Sequence, residues 1–382
     1  MLFFLFSFLN IEGKRVETFF GLFIFLFELM NDDYDITLNF KKAWQKKILR
    51  WYEFNKRDLP WRKKTYQNFY KIWISEVMLQ QTVVNTVIPY YRKFLKKWPN
   101  LKSFYKAELE EILMIWQGLG YYQRAKKLHE AKEFLKINKL VIHSTDLIKI
   151  PGLGKYTANS ISAILKDEPC AVVDGNVERI LSRVFKISRS DKRFKKKIYQ
   201  IAEKLTPRKN NRYYFQSLMD LANIVCKSKA PNCILCPVKK YCLTNGNIVL
   251  EEKKRVKRKS KTGVIFLVRF QNLFLAGISK KKILQGLYQM PISNYFEIKL
   301  FSENLSVHKK IISSWKKTHG IHNKYKILDS IEHNFTHFHL KLLVVEIILD
   351  KKINLDNYNW MTMNALEKKP LSSLMRKVIT KI

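Results

Sequence analysis

The sequence predicts a multidomain chain: an all-α domain over residues 31–245, a linker, and an α+β domain over residues 263–382. Apolar residues recur at helical spacing through the first region, and "IPGLGK" at residues 150–155 predicts a tight hairpin between two helices. Residues 246–262 are polar and basic, which indicates a linker. The 382 residues suffice for two or three domains with ordinary cores.

The elements follow from local pattern. "NFYKIWISEVMLQQ" places Trp73 and Val77 on one helical face, and the helix in "LEEILMIWQGLG" is predicted to stop before Gly118. "STDLIKI", "PGLG" and "KYTANSISAIL" predict helix, hairpin and helix, and Asp174 is a predicted N-cap of the next helix. After the linker, "GVIFLVRFQNLFLAGI" predicts a β-hairpin turning at Gln271-Asn272, and "FTHFHLKLLVVEIIL" predicts two more strands.

The composition favours a polyanionic partner. Lys and Arg number 71 against 32 Asp and Glu, a formal net charge of +39. Nucleic acid or an anionic membrane surface fits this excess, although an AT-rich genome also enriches lysine. A hydrophobic content of 47% argues against a disordered chain, and few cysteines outside one cluster fit a reducing cytosol. We therefore expect a cytoplasmic, nucleoid-associated protein.

Residues 1–30 hold two apolar runs split by "IEGKRVE". Neither run reaches the ~20 residues of a membrane-spanning helix, and no signal-peptide pattern follows. Our interpretation is an upstream misassigned start, with Met30 beginning the protein; a membrane-surface anchor is the alternative. We expect no stable membrane partner.

Four of the five cysteines lie between residues 226 and 242 with the spacing C-x6-C-x2-C-x5-C. Thiolates this close suit a metal or an iron–sulfur cluster better than disulfides. The spacing alone leaves both Zn²⁺ and [4Fe–4S] open. The four candidate ligands are Cys226, Cys233, Cys236 and Cys242.

The predicted hairpin has the composition of a phosphate-binding turn. Gly152 and Gly154 permit positive φ and close approach, and the helix that begins near Lys155 presents its first N–H groups to an anion. An ordinary turn between two helices is the alternative.

Two acidic residues have contrasting predicted environments. Glu76 lies on the apolar face of its helix, where burial should raise its pKa and make it a general acid. Asp174 opens a helix and could stabilise positive charge. A salt-bridged or boundary glutamate is the alternative for Glu76, and a simple N-cap is the alternative for Asp174.

Six segments occur in one order: "LPWR", "WISEVMLQQT", "GLGYYQRAKKL", "IPGLGKYTA", "VDGNVERIL" and the four-cysteine loop. This set closely resembles the adenine DNA glycosylases of the MutY type, which belong to the helix-hairpin-helix superfamily that includes endonuclease III. The resemblance is dense over residues 40–245 and looser beyond. It implies a helix-hairpin-helix glycosylase domain whose four cysteines hold a [4Fe–4S] cluster.

The resemblance also implies a substrate, double-stranded DNA with adenine opposite 8-oxoguanine or guanine, and a role for individual residues. Glu76 matches the acid that protonates adenine at N7, and Asp174 matches the carboxylate that stabilises the sugar cation. Asn176 matches a residue that orients this aspartate. Gln81 and Tyr121 match residues that intercalate near the 8-oxoguanine strand. We expect a monomer that releases adenine and leaves an abasic site.

Tyr156 distinguishes two branches of the superfamily. Related glycosylase–lyases carry a Schiff-base lysine at the matching position. Lys155 is one residue away, which on a helix is a rotation of about 100°. The resemblance therefore implies a monofunctional enzyme.

The C-terminal third resembles the family's Nudix-like 8-oxoguanine-recognition domain through "GLYQMP" and "FTHFHL". Phe335, Thr336 and His337 match its lesion-sensing loop, where the family's usual middle residue is Ser. No Glu-rich Nudix hydrolase box is present in the sequence, so a nucleotide-hydrolysing activity is not indicated.

Three other functions remain open. A thymine- or pyrimidine-directed glycosylase–lyase is disfavoured by Tyr156 and by the C-terminal domain. A non-catalytic iron–sulfur DNA-binding module is disfavoured because both Glu76 and Asp174 are present. A membrane-associated protein is supported by residues 1–30 alone.

Overall fold

The structure is a computed structural model that describes residues 36–244, 259–281, 284–298, 305–335 and 337–381. The apolar residues 1–30, most of the predicted linker and Thr336 lie outside the described residues. The chain divides into two compact units, each discontinuous in sequence. The first comprises Met1–Asp58, Ile142–Ser144 and Ala158–Leu250, and the second Leu59–Val141, Thr145–Thr157 and Glu251–Ile382.

The described helices alternate with short turns up to the cysteine loop and then become sparse. In chain order they are α1 (Leu38–Asn55), α2 (Phe69–Leu79), α3 (Val84–Lys97), α4 (Leu101–Phe104), α5 (Leu109–Trp116), α6 (Gln123–Ile137), α7 (Ser144–Leu147), α8 (Lys155–Lys166), α9 (Gly175–Val184), α10 (Phe194–Leu205), α11 (Asn211–Ile224), α12 (Leu305–Thr318), α13 (Met363–Glu367) and α14 (Ser373–Ile379).

The first unit is a helical bundle in which α1, α9, α10 and α11 share one apolar core. Trp44 of α1 is fully buried and donates its indole N–H to the Tyr214 hydroxyl of α11 (2.9 Å). A second link joins Arg57 to the buried carboxylate of Asp220 (2.6 Å). These contacts hold the end of α1 against α11, which leads directly into the cysteine loop.

The helical part of the second unit has an aromatic core. Trp73 of α2 and Trp116 of α5 are almost fully buried, and Phe104 packs edge-on or tilted against Trp73, Phe94 and Trp98. Large rings bury much apolar area each, so few side chains suffice to fix these short helices together.

The remainder of the second unit is a mixed sheet. Its strands are β1 (Lys259–Phe270), β2 (Leu273–Ile278), β3 (Tyr288–Gln289), β4 (Phe296–Glu297), β5 (Tyr325–Asn334), β6 (Phe338–Ile348) and β7 (Tyr358–Thr362). The order is β3-β2-β1-β6-β5, with β4 on β1 and β7 on β2; β1 and β6 are parallel, and the other pairs are antiparallel. Helix α12 covers one face, where Trp315 stacks on Phe266 at 4.0 Å. An all-α region followed by an α+β region confirms the predicted fold class.

Two predictions about the strands need correction, and one is confirmed. Strand β1 begins at Lys259, inside the predicted linker of residues 246–262, because Lys259 to Thr262 pair in parallel with β6. The segment "FTHFHLKLLVVEIIL" contains one continuous strand, β6, rather than two, since the residues from Phe338 to Ile348 all pair with β1. The predicted turn at Gln271-Asn272 is confirmed.

Among the described residues, every helix is too short or too polar to cross a membrane.

Candidate active site and cysteine loop

Glu76 lies inside helix α2 of the second unit. The helix begins at Phe69 after the N-cap Asn68, whose side chain accepts from the Lys71 N–H, and nearly all residues from Phe69 to Met78 are buried. Glu76 is itself only 6% exposed. The predicted burial of this carboxyl group is therefore confirmed. Burying a carboxyl group in such a helix costs desolvation free energy. Buried acidic groups of this kind are common at functional sites.

Asp174 is the N-cap of α9 in the first unit, as predicted. Its Oδ1 accepts from the backbone N–H groups of Asn176 (2.8 Å) and Val177 (2.9 Å), and its Oδ2 accepts from the side-chain amide of Asn176 (2.7 Å). Three donors at the N-terminus of α9 therefore hold this carboxylate in one orientation. Asn176 is thus in a position to orient this side chain.

Arg179, to which the sequence assigned no role, connects the Asp174 cap to the cysteine loop. Its Nη2 donates to Asn176 Oδ1 (3.1 Å) and to Ala222 O (3.0 Å), and its Nε donates to Cys226 O (2.9 Å). The sequence shows only an arginine in the second turn of an amphipathic helix. Its two carbonyl partners, Ala222 and Cys226, lie more than forty residues away along the chain.

The four loop cysteines, Cys226, Cys233, Cys236 and Cys242, line one cavity of the first unit as free thiols. Burial raises the pKa of Cys226, an effect that neighbouring Arg183 partly offsets, and burial raises the pKa of Cys236 to about 11. Four cysteines that line one cavity have the donor chemistry that an iron–sulfur cluster requires. Within the described residues, no group of three or more His, Cys, Asp or Glu side chains has the arrangement of a formed metal site.

Arg183 anchors the start of the loop. Its guanidinium donates to the Cys226 sulfur (3.3 Å), to Lys227 O (2.7 Å) and to Ser228 O (2.8 Å). The fifth cysteine, Cys170, lies elsewhere and packs against Asn159, with its Sγ 3.4 Å from that residue's carbonyl oxygen. Cys170 is therefore a structural residue of the first unit.

The predicted hairpin connects α7 to α8. Gly152 has φ +81°, and a Cβ there would lie 2.6 Å from Cβ of Lys127, so both positive φ and close approach require glycine. Gly154 uses neither property: its φ is not positive, and a Cβ there would meet open space. Lys155 is exposed at the start of α8, and Tyr156 is half-buried beside it.

Gln81 and Tyr121 share an unusual backbone. Gln81 has φ +55° and Tyr121 has φ +50°, and both side chains are exposed, Tyr121 by 43%. The left-handed conformation costs a non-glycine residue roughly 1–2 kcal/mol. Strain of this kind persists only where neighbouring structure enforces it, and it concentrates at functional sites.

The predicted lesion-sensing loop joins β5 to β6. Phe335 is buried, its N–H donates to Phe338 O (2.9 Å), and its ring packs against those of Phe338 and His333. His337 is exposed. Thr336 lies outside the described residues.

The structure thus divides the predicted residues between its two units. Within the second unit, α2, α6 and the hairpin converge on a cavity of about 150 Å³ lined by Trp73, Val77, Gln80, Lys127 and Gly152, among others. The Gln80 amide donates to the Thr157 hydroxyl (3.0 Å) and joins α2 to the start of α8. Asp174, Asn176 and the cysteines belong to the first unit.

Comparison with known proteins agrees with this architecture. Residues 74–208 match the model of the HhH-GPD superfamily of base excision DNA repair proteins, and residues 264–381 match that of the NUDIX domain. A solved thermostable thymine-DNA glycosylase is similar over 56% of this chain and 100% of its own, with 26% identity and a TM-score of 0.50. Fold and site together define the class: a helix-hairpin-helix base-excision DNA repair enzyme with a Nudix-like domain.

The relatives define the family within this class. The adenine DNA glycosylase of Buchnera aphidicola subsp. Schizaphis graminum (strain Sg) is 33% identical over 323 residues, 81% of this chain and 89% of the relative. That of subsp. Baizongia pistaciae (strain Bp) is 33% identical over 349 residues, 88% of this chain and 95% of the relative. The chain belongs to the adenine DNA glycosylase family, whose members are hydrolases of N-glycosyl bonds.

Proposed function

We propose that this protein, acting as a monomer, removes adenine paired with 8-oxoguanine or guanine in double-stranded DNA. It hydrolyses the N-glycosidic bond and leaves an abasic site. The observation that carries the proposal is the burial of Glu76 in a mostly apolar helix, in a chain of the adenine DNA glycosylase family.

Glu76 supplies the proton. Burial disfavours the charged form of a carboxyl group, so such a group can reach the substrate still protonated and act as a general acid. Protonation of adenine at N7 turns the base into a neutral leaving group. The bond from the sugar carbon to N9 then breaks with its electron pair on the base.

Asp174 stabilises the positive charge that develops on the sugar. Its carboxylate is held by two backbone donors and by the Asn176 amide, so it needs little reorganisation when the charge appears. Water then adds to the sugar carbon and loses a proton, which completes the hydrolysis. Asn176 acts as the positioning residue for Asp174.

The enzyme reaches its target by extruding the adenine, which costs a few kcal/mol. Gln81 and Tyr121 compensate by entering the stack, and their exposed side chains on constrained loops suit this role. The N-terminus of α8 and the side chain of Lys155 bind a backbone phosphate. The open space at Gly154 leaves room for that phosphate.

Tyr156 makes the reaction monofunctional. Strand cleavage by a lyase begins with a Schiff base between the sugar and an amine, and a phenol cannot form one. Release of adenine therefore leaves an intact strand with an abasic site.

The four loop cysteines would hold a [4Fe–4S] cluster. When bound, the cluster supplies iron–thiolate bonds that tie the loop together, and it takes no part in the steps above. The loop carries Lys227, Lys229, Lys239 and Lys240, whose charges favour contact with DNA phosphates.

The Nudix-like domain reads the opposite base through Phe335, Thr336 and His337. Phe335 anchors the turn from within the core, and His337 is exposed beside it. Thr336 retains the hydroxyl group of the serine usual in this family.

The test uses four labelled duplexes: three carry A opposite 8-oxoguanine, G or T, and the fourth carries T opposite G. Each duplex is incubated with the protein and then analysed with and without alkali, which cleaves the strand at abasic sites. We expect alkali-dependent cleavage for A opposite 8-oxoguanine and G, and none for A opposite T. Cleavage of the duplex with T opposite G instead would favour the thymine-directed alternative. Cleavage without alkali would favour a lyase.

A further inference from the structure

The two loops that carry Gln81 and Tyr121 are joined by a single side chain, Arg124. This arginine lies in the first turn of α6, directly after the Tyr121 loop. Its guanidinium reaches back across the space between that loop and the C-terminal end of α2. All the residues concerned belong to the second unit.

On the Gln81 side, Arg124 satisfies the end of helix α2. Its Nη1 donates to Val77 O (3.0 Å), Met78 O (2.7 Å) and Gln80 O (2.7 Å). The last carbonyl groups of a helix lack partners within the helix and carry its negative pole, so a cation is favoured there.

On the other side, the same guanidinium binds the loop before Tyr121. Its Nη2 donates to Gly120 O (3.1 Å) and Leu119 O (3.5 Å), while the Arg124 backbone N–H donates to Tyr121 O (2.9 Å). Nη2 also donates to the Thr82 hydroxyl (3.1 Å), so one nitrogen contacts both loops.

These contacts lie next to Gln81 and Tyr121, the two residues with positive φ. Gln80 O and Thr82 Oγ1 flank Gln81, and Gly120 O directly precedes Tyr121, the residue with φ +50°. Burial lowers the pKa of Arg124 to about 10, so the group remains charged at neutral pH and its hydrogen bonds are charge-assisted.

We propose that Arg124 is a positioning residue that fixes the spacing between the Gln81 and Tyr121 loops, so that the two side chains enter the DNA as one unit. The proposal rests on the proposed function, under which both side chains intercalate. Lysine could not replace Arg124, because a single ammonium lacks the planar fork that reaches two loops at once.

The experiment measures base unstacking rather than chemistry. A duplex with A opposite 8-oxoguanine carries 2-aminopurine beside the adenine, and the full chain bears Glu76→Gln so that no base is released. The fluorescence rise on mixing gives the extrusion rate for Arg124→Lys, for Thr82→Val and for the control Arg92→Lys. Arg92 is exposed on α3, and its change also keeps the charge.

We expect Arg124→Lys to slow extrusion about 10-fold, below the ~10²-fold that a misplacement of about 1 Å can cause. Thr82→Val should act in the same direction with a smaller effect, and it keeps the test available if Arg124→Lys does not fold. Arg92→Lys should stay within twofold.

The decisive comparison repeats both changes in a Gln81→Ala/Tyr121→Ala background. If Arg124 acts by positioning these side chains, its effect should shrink to less than twofold once they are absent. An undiminished effect in that background, or no effect of Arg124→Lys and Thr82→Val in the native background, overturns the proposal. Adenine release by the unmodified chain, measured separately, reports failure of the proposed function itself.

Discussion

The two carboxyl groups of the proposed mechanism lie in opposite environments. Glu76 lies within a helix whose neighbouring residues are almost all apolar and buried. Asp174 lies at a helix N-terminus, half-buried, with both oxygens occupied by hydrogen-bond donors. The first environment is apolar, whereas the second supplies three hydrogen-bond donors and the N-terminus of a helix. Two carboxylic acids of similar intrinsic acidity thus have different roles in the proposed mechanism, because their surroundings differ.

The largest expected effect comes from removing the proton of Glu76. Glu76→Gln keeps the size and polarity of the side chain, so duplex affinity should change by no more than a few-fold. Single-turnover release of adenine should fall by about 10²–10⁴-fold, the usual contribution of a general acid. Glu53→Gln, a change on the exposed face of α1, is the control. A Glu76→Gln rate within a few-fold of the unmodified protein would refute the acid role.

The second prediction separates the charge of Asp174 from its N-cap. Asp174→Asn retains a good cap, so thermal unfolding should be unchanged while adenine release falls about 10²–10³-fold. Asp174→Ala should lose the same activity and also about 1 kcal/mol of stability. Normal activity in the asparagine variant would leave Asp174 with a capping role alone.

The third prediction concerns the cysteine loop, which Arg179 connects to the Asp174 cap. Cys226→Ser should abolish the iron content and visible absorbance of the purified protein and weaken duplex binding, because the loop loses a cluster ligand. Cys170→Ser is the matched control and should keep the iron content, the visible absorbance and the duplex affinity of the unmodified protein. Measurement of metal content after anaerobic purification checks this, and stoichiometric zinc without iron in the unmodified protein would contradict the cluster assignment.

The smallest effect on base release is expected at Tyr156. Tyr156→Lys should leave adenine release within a few-fold but add strand nicking and borohydride-trapped adducts, because it introduces an amine. The unmodified protein should trap DNA far more slowly than it releases adenine, even with Lys155 beside the site. Trapping that keeps pace with release would place the protein among the lyases.

Local pattern predicted much of this site. The cap at Asp174 follows from an acidic residue before an amphipathic run, and Glu76 was assigned to the buried face because it follows Trp73 at helical spacing. The cysteine loop follows from spacing alone. Each of these signals lies within about twenty residues of chain.

The arginines were not predictable in this way. Arg179 and Arg124 contact carbonyl groups more than forty residues distant, and any exposed helical arginine has the same local pattern. Gln81 and Tyr121 were identified through the family resemblance, but their left-handed backbone was not, because neither is a residue type that favours it.

Strand β1 shows that prediction from local sequence pattern is limited in the C-terminal α+β region as well. Its first residues are basic and resemble a linker, yet they form a strand because β6 offers a parallel edge to which they pair. The hairpin gives a second example: its motif permits positive φ at both Gly152 and Gly154, but the folded turn uses it at Gly152 alone.

The sequence by itself determined the fold class, the helix that buries Glu76, the cap at Asp174 and the clustering of four cysteines in one short loop. These depend on interactions between residues a few positions apart, for which periodicity and residue type are sufficient information. The tertiary structure decided which arginines join distant loops, where β1 begins and how Gln81 and Tyr121 are held. These depend on carbonyl groups and strand edges supplied by distant segments, whose positions are set only when the core packs.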